Sequence, residues 1–368
     1  MPRAASTSDP APPFRAGWLA TGLLALSACA PGSTARIEQL HVFGSIAQIE
    51  IRGAGEAQVD AAIADTAALL NQLHGEWHAW EPSDLTRINA AFAAGESAEA
   101  PPSVLALVAR AQPLAEATDG LLDPAIGGLI AAWGFHTSSF PVHSPAPGDR
   151  ALAEWRSATP AISNVSVDGN RLTSSNPRVQ LDFGAIAEGA AAEAVIAVLR
   201  RHGIRHALVN LGGDVVALGD GDGKPWQVGI RDPFGGVLGG VTLADGEGLF
   251  STGNYNKFRE SPSGARWGHI LDPRTGHPAR GAAAVVVLHP DPVLADAGAT
   301  ALFVAGPSGF ERLARRLGLG CAMMVTEENE MLVTAAMKSR LELVREPVSL
   351  GAPLALGPAC RAASGPGG

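Results

Sequence analysis

The stretch Leu181-Asp182-Phe183-Gly184-Ala185-Ile186-Ala187-Glu188-Gly189 decides the fold. An apolar run closes at Asp182, two small residues follow, and an alanine-rich helix is expected over 187–202. The strand-to-helix step at Gly184-Ala185 leaves unpaired backbone amides at a helix start, a position that favours an anion such as a diphosphate. The segment has neither the P-loop pattern nor G-x-G-x-x-G, which excludes a standard NTPase or Rossmann site from it.

On the N-terminal side, residues 39–43 and 46–51 alternate apolar and polar as two strands meeting at Gly44-Ser45. Helical spacing marks 57–75, a second helix capped at Ser83-Asp84, and a third through Val104 to Leu114 that Pro113 is expected to kink or shorten. The segment 137–150 is expected to be a flexible insertion. Strands are expected near 163–167, 171–173 and 178–182.

On the C-terminal side, 207–210 and 214–218 flank a Gly212-Gly213 turn, and strands fit 226–231, 238–243, 267–271 and 282–288. Helices at 293–305 and 307–317 precede a strand pair near 321–325 and 331–334. Strands, helices and then mostly antiparallel strands with inserted helices make an α+β pattern rather than repeated βαβ units.

The chain of 368 residues is long enough for a large core, and its formal net charge of -9 argues against nucleic acid as a partner. The three lysines, Lys224, Lys257 and Lys338, carry no functional weight at this level. Residues 1–29 read as a secretory leader: Arg3 and Arg15, an apolar stretch too short to span a bilayer, then Leu26-Ser27-Ala28-Cys29. That ending resembles a lipobox, with Cys29 the lipidated residue; an ordinary cleavage site is the alternative. Residues 30–37 read as a tether, 38–345 as one catalytic domain and 346–368 as a Pro/Gly/Ala-rich disordered tail. Of the remaining cysteines, Cys321 reads as a buried strand thiol and Cys360 as a loose tail thiol, although the oxidising compartment permits a disulfide.

Three clusters set polar residues among glycines and prolines: 120–135, 181–189, and 251–255 with 269–278. Asp296 and Thr300 lie four apart on one helix face and offer a hard-oxygen pair suited to Mg²⁺; an N-cap aspartate with a back-bonding threonine is the alternative. His269, beside Asp272-Pro273-Arg274, can act as a general base for a hydroxyl nucleophile. His74, His78, His202 and His206 have no recognisable zinc spacing.

Read together, 182–189, Asn210-Leu211-Gly212-Gly213-Asp214, 225–233, 269–276 and 295–302 resemble, in order, the motifs of the ApbE family, the FAD:protein FMN transferases. The resemblance covers roughly 38–340. It implies an α+β domain with FAD in a central cleft and Mg²⁺ as cofactor. It implies flavin contacts at Phe43, Trp80, Leu121, Leu122, Asp123, Asp182, Glu188 and Ile270. It implies magnesium ligands at Ala185, Asp296, Ala299 and Thr300, and His269 beside the reacting phosphate. FMN would pass from FAD to a Thr or Ser hydroxyl of an acceptor flavoprotein with an Asp-Gly-x-Thr-Gly-Ala site, such as a membrane redox subunit. The place would be the periplasmic side of the bacterial inner membrane. Phe43-Gly44-Ser45, Trp80 and Ala190 depart from the usual Met-Gly-Thr, Tyr and Tyr; the departures at Phe43 and Ala190 keep flavin binding alone as an alternative, and hydrolysis of FAD to FMN and AMP, with water in place of the acceptor hydroxyl, is the other.

Overall fold

The computed structural model of the protein describes residues 35–42, 45–261, 264–345, 347, 349–356 and 360; Cys29 and Phe43 lie outside them. Among the described residues the central sheet has nine strands, in the order Arg36–Val42, Ser45–Arg52, His206–Leu211, Asp214–Leu218, Gly248–Gly253, Ala282–His289, Ala322–Thr326, Glu330–Val333 and Ser349–Leu350. Every neighbouring pair is antiparallel except the last. The first pair is a hairpin in which Val42 faces Ser45. The turn between the third and fourth strands works because Gly212 and Gly213 both take positive φ, 64° and 116°, which suits glycine.

Helices Glu56–Trp77, Pro102–Ala117, Ala187–Arg201 and Pro292–Arg316 supply apolar faces to one core with this sheet. Ser83 caps Asp84–Ala93 with a full capping box, since its side chain and that of Thr86 bond each other's backbone amides. The helix through Pro113 runs on to Ala117, so the proline does not end it there. The long C-terminal helix breaks at Gly306 (φ 65°), which separates the two expected helices.

Helices 187–201 and 292–316 meet at Gly189. A Cβ there would lie 2.4 Å from the Pro292 carbonyl oxygen, so only glycine allows this approach.

Several expectations change. Gly248–Gly253, read as part of a polar loop, is a central strand; its Gly-Leu-Phe-Ser-Thr-Gly sequence has no clean alternation because both faces are covered. Residues 178–182 form no strand, only an isolated bridge from Gln180 to Ile126. The expected strand 267–271 divides into Arg266–Gly268 and Leu271–Asp272.

The segment 137–150 is pinned: Val142 bonds the backbone of Phe258 and Glu260, and the buried Arg259 guanidinium donates to Trp133 O and Ser144 Oγ. The first strand starts at Arg36, inside the expected tether. Part of the expected disordered tail docks: Ser349–Leu350 pairs with the sheet, Leu354 bridges Thr334, and Cys360 forms a disulfide with Cys321. Leu354 and Leu356 supply apolar anchors against the core, which a composition reading of the tail undervalues.

Gly189→Ala should cost about 1–3 kcal/mol through overpacking and lower the melting temperature. Gly75→Ala, where a Cβ meets nothing within 4 Å, should be neutral or stabilising. Thermal denaturation of the two variants checks this; equal melting temperatures would refute the close-approach argument.

Candidate active site

A cleft opens where residues 182–188 face Lys257 and residues 269–271. Trp80, Leu121, Leu122, Asp123, Asp182, Ala185, Glu188, His269, Ile270 and Thr300 line it. An adjoining pocket shares Gly184, Glu188, Lys257, His269, Ile270 and Thr300 with it and adds Asp214, Ser251 and Asp296. Of the residues named from sequence, all except Phe43, Cys29 and Ala299 therefore border one continuous space. Ala299 is buried on the same helical turn as Asp296 and Thr300, so a contribution from it would come from its backbone carbonyl.

The carboxylates Glu188, Asp214 and Asp296 dominate the inner pocket. Burial raises the pKa of each, and mutual repulsion adds to it: Glu188 acts on Asp214 and Asp296, and Asp214 on Asp296. Lys257 partly offsets the rise at Glu188 and Asp214. Asp296 accepts from Gly189 N at 2.9 Å, and Asp214 accepts from Ser251 N at 2.8 Å. The hydroxyls of Thr252 and Thr300 lie 3.1 Å apart. Asp296 sits inside its helix while Asp291 caps it, so the N-cap alternative fails. Asp296 and the Thr300 hydroxyl, with Glu188 and Asp214 beside them, offer oxygen donors of the kind a hard divalent cation takes, and a bound cation would relieve the repulsion.

His269 is set by its own backbone region. Its Nδ1 lies 3.1 Å from the Lys257 carbonyl oxygen, which can only accept, so Nδ1 carries the proton and Nε2 holds the lone pair. Burial first, and the Lys257 ammonium second, lower its pKa to about 3, so the ring is neutral at physiological pH.

At the outer end, Trp80 is 40% exposed and stacks on His136 at 5.1 Å, and His136 Nε2 pairs with Asp182 Oδ2 at 3.1 Å. Asp182 also accepts from Gly184 N, which holds the turn leading into the helix at Ala187. Asp123 is a loop clamp: its Oδ1 accepts from Ala125 N and Ile162 N, both at 2.9 Å.

Sequence reasoning missed His136, Thr252, Lys257 and the carboxylate role of Asp214. From sequence Asp214 is only the first residue of the strand after the Gly212-Gly213 turn and Thr252 only one member of the polar cluster 251–255, while His136 and Lys257 carry no local signal. It also missed that His74, His78 and Glu81 gather, with ligand atoms within 4.8 Å. The Glu81 amide donates to His78 Nδ1 at 2.9 Å, which puts the ring proton on Nε2 and leaves that nitrogen without a lone pair for a metal.

A sequence model of the ApbE family matches residues 43–325, and the chain belongs to this family. A Rhodobacter capsulatus protein called FAD:protein FMN transferase is 42% identical over 327 residues, 89% of this chain and 61% of that one. A Klebsiella pneumoniae protein of the same name is 29% identical over 348 residues, 90% of this chain and 98% of that one. The chain thus spans less than two thirds of the first relative and nearly all of the second. Among solved structures, the apo flavinyl transferase ApbE of Pseudomonas stutzeri superposes with a TM-score of 0.73 at 30% identity, covering 84% of this chain and 97% of that one. The ApbE protein of Thermotoga maritima gives 0.76 at 25% identity, covering 83% and 99%.

Burial raises the Asp123 pKa to about 6, so the folded chain holds a proton that the unfolded chain releases. Its contribution to stability is full below the unfolded carboxylate value near 4 and is lost as pH rises through about 6. Asp123→Asn should keep both amide bonds and flatten this slope, whereas Asp123→Ala should cost about 1–3 kcal/mol at all pH values. Denaturant titrations from pH 4 to 8 test it; a slope that survives in the Asn variant would assign the dependence elsewhere.

Proposed function

We propose that this protein transfers FMN from FAD to a Thr or Ser hydroxyl of an acceptor flavoprotein and releases AMP. The observation that carries the reading is the neutral His269, Nε2 lone pair available, bordering the same space as the carboxylates Glu188, Asp214 and Asp296. A proton acceptor beside a cation-binding acid cluster suits attack of a hydroxyl on a diphosphate. The names of the relatives support transfer of FMN from FAD to a protein.

In this scheme His269 Nε2 takes the proton of the acceptor hydroxyl as its oxygen bonds the FMN-side phosphorus. The bond from that phosphorus to the bridging oxygen breaks, and AMP leaves with the electron pair. Asp296, the Thr300 hydroxyl and the carbonyls of Ala185 and Ala299 would hold Mg²⁺, which supplies charge neutralisation at the diphosphate. Trp80 offers a stacking face at the outer end for an aromatic ring of FAD, with His136 and Asp182 fixing its plane. Gly184 and Gly212 line the pocket beside the cluster.

We also place the protein at the periplasmic face of the inner membrane, anchored through lipid on Cys29, on the strength of the leader sequence alone.

Purified protein with FAD, Mg²⁺ and an acceptor flavoprotein should add one FMN mass to the acceptor by intact mass spectrometry. Free FMN and AMP without labelling would replace transfer by hydrolysis. His269→Ala should retain FAD affinity and lose transfer by about 10²-fold or more; undiminished transfer would remove it as the base. Asp296→Ala should abolish Mg²⁺ binding by calorimetry; an unchanged isotherm would move the cation elsewhere. In cells, Cys29→Ser should shift the protein from the membrane to the soluble fraction, and continued membrane retention would defeat the anchor.

A further inference from the structure

The cleft and the inner pocket share Gly184, Glu188, Lys257, His269, Ile270 and Thr300, and this shared lining is the throat between them. A ligand that reaches both the outer cleft and the Asp296–Thr300 pair passes through it. The acids Asp123, Asp182, Glu188, Asp214 and Asp296 border one space or the other. Among the described residues, Lys257 is the only lysine or arginine on either wall.

Backbone pairing sets where this lysine points. Where Phe258–Glu260 pairs with Arg266–Gly268, Phe258 faces Gly268, so one step further Lys257 faces His269. The His269 amide donates to the Lys257 carbonyl at 3.2 Å and continues the ladder. Directly opposite residues on antiparallel strands project to the same face, with Cβ atoms about 5 Å apart. The ammonium and the imidazole therefore enter one space, and both residues line the cleft and the pocket alike. The strand is fastened two residues on, where the buried Arg259 donates to Trp133 O and Ser144 Oγ.

Lys257 is exposed and makes no close ion pair among the described residues, although its charge acts at longer range on Glu188, Asp214 and His269. Asp214 and Asp296 accept from backbone amides instead. With Glu188, Asp214 and Asp296 ionised, their three negative charges exceed the two positive charges of a divalent cation. Lys257 makes up the difference before a diphosphate brings its own negative charge.

We propose that Lys257 is a catalytic residue: its ammonium binds a diphosphate oxygen of FAD at the throat and stabilises the charge that gathers there as the phosphorus–oxygen bond breaks. The proposal rests on the transferase reading and adds the one cation that the chain itself supplies to that step. Phosphoryl transfer is governed by positioning and charge stabilisation, and an ammonium already in place costs no reorganisation at the moment of reaction. Lysine serves phosphate as a point charge, so arginine in its place keeps part of the effect.

The test uses the full chain with Mg²⁺. Lys257→Met keeps the backbone carbonyl that holds His269 and removes the ammonium. Without acceptor, its affinity for FAD by flavin fluorescence should fall about tenfold, while riboflavin, which has no phosphate, should bind as it does to the unaltered protein. With an apo-flavoprotein acceptor and saturating FAD, kcat for FMN transfer should fall about 10²-fold. Lys257→Arg should restore most of the FAD affinity and raise kcat about tenfold above the Met variant. Unchanged FAD affinity or unchanged kcat in Lys257→Met would overturn the assignment. An equal loss for FAD and riboflavin would also overturn it, since the lysine would then shape the cleft rather than hold phosphate. If the unaltered protein failed to label the acceptor, the transfer reading and the rate role would fall together; the difference between FAD and riboflavin would still decide whether Lys257 holds the diphosphate.

Discussion

The contact on which the site depends is the crossing of helices 187–201 and 292–316 at Gly189. With no Cβ, Gly189 lets the Pro292 carbonyl and the Val293 backbone come against its helix. Its amide donates to Asp296, and Glu188, one residue earlier, falls beside the same carboxylate. Two acids from segments more than a hundred residues apart are thereby held in one pocket against their repulsion. The strand Gly248–Gly253 completes the arrangement, since Ser251 fixes Asp214 and Thr252 meets Thr300.

Holding such acids close costs stability, because each carboxylate is partly or wholly withdrawn from water and none is joined to a cation by a close salt bridge among the described residues. Natural folds keep such clusters where a ligand offsets the cost. The opposite choice is made at Arg259, whose buried guanidinium is spent on carbonyl and hydroxyl acceptors to fasten 137–150 over the outer end of the cleft. The cleft is thus fastened along one wall by hydrogen bonds, and Trp80 and Lys257 are exposed members of its lining.

The two ends of the site obey different physics. The outer end is organised by stacking and a single neutral or charged pair, Trp80 over His136 and His136 to Asp182. The inner end is organised by backbone groups: Gly189 N, Ser251 N and the Lys257 carbonyl fix Asp296, Asp214 and His269 respectively. Backbone donors and acceptors do not depend on side-chain rotamers, which suits the end where atoms must be held to a fraction of an ångström.

Much of this was legible in the chain. Helical and strand periodicity located most elements, because burial of one face writes itself into sequence at 3.6 or 2 residues. The spacing of Asp296 and Thr300 put two oxygens on one face, since that requires only helix geometry. The Gly212-Gly213 turn marked a place where the backbone must reverse. Tertiary structure alone decided the rest. It made Gly248–Gly253 a central strand, since burial on both faces removes the alternation that would reveal it. It joined Cys321 to Cys360, because pairing depends on distance between segments that local sequence does not encode. It also made Asp214, from sequence only the first residue of a strand, the third member of an acid cluster, since electrostatic coupling falls off with separation in space, and separation in sequence says nothing about it.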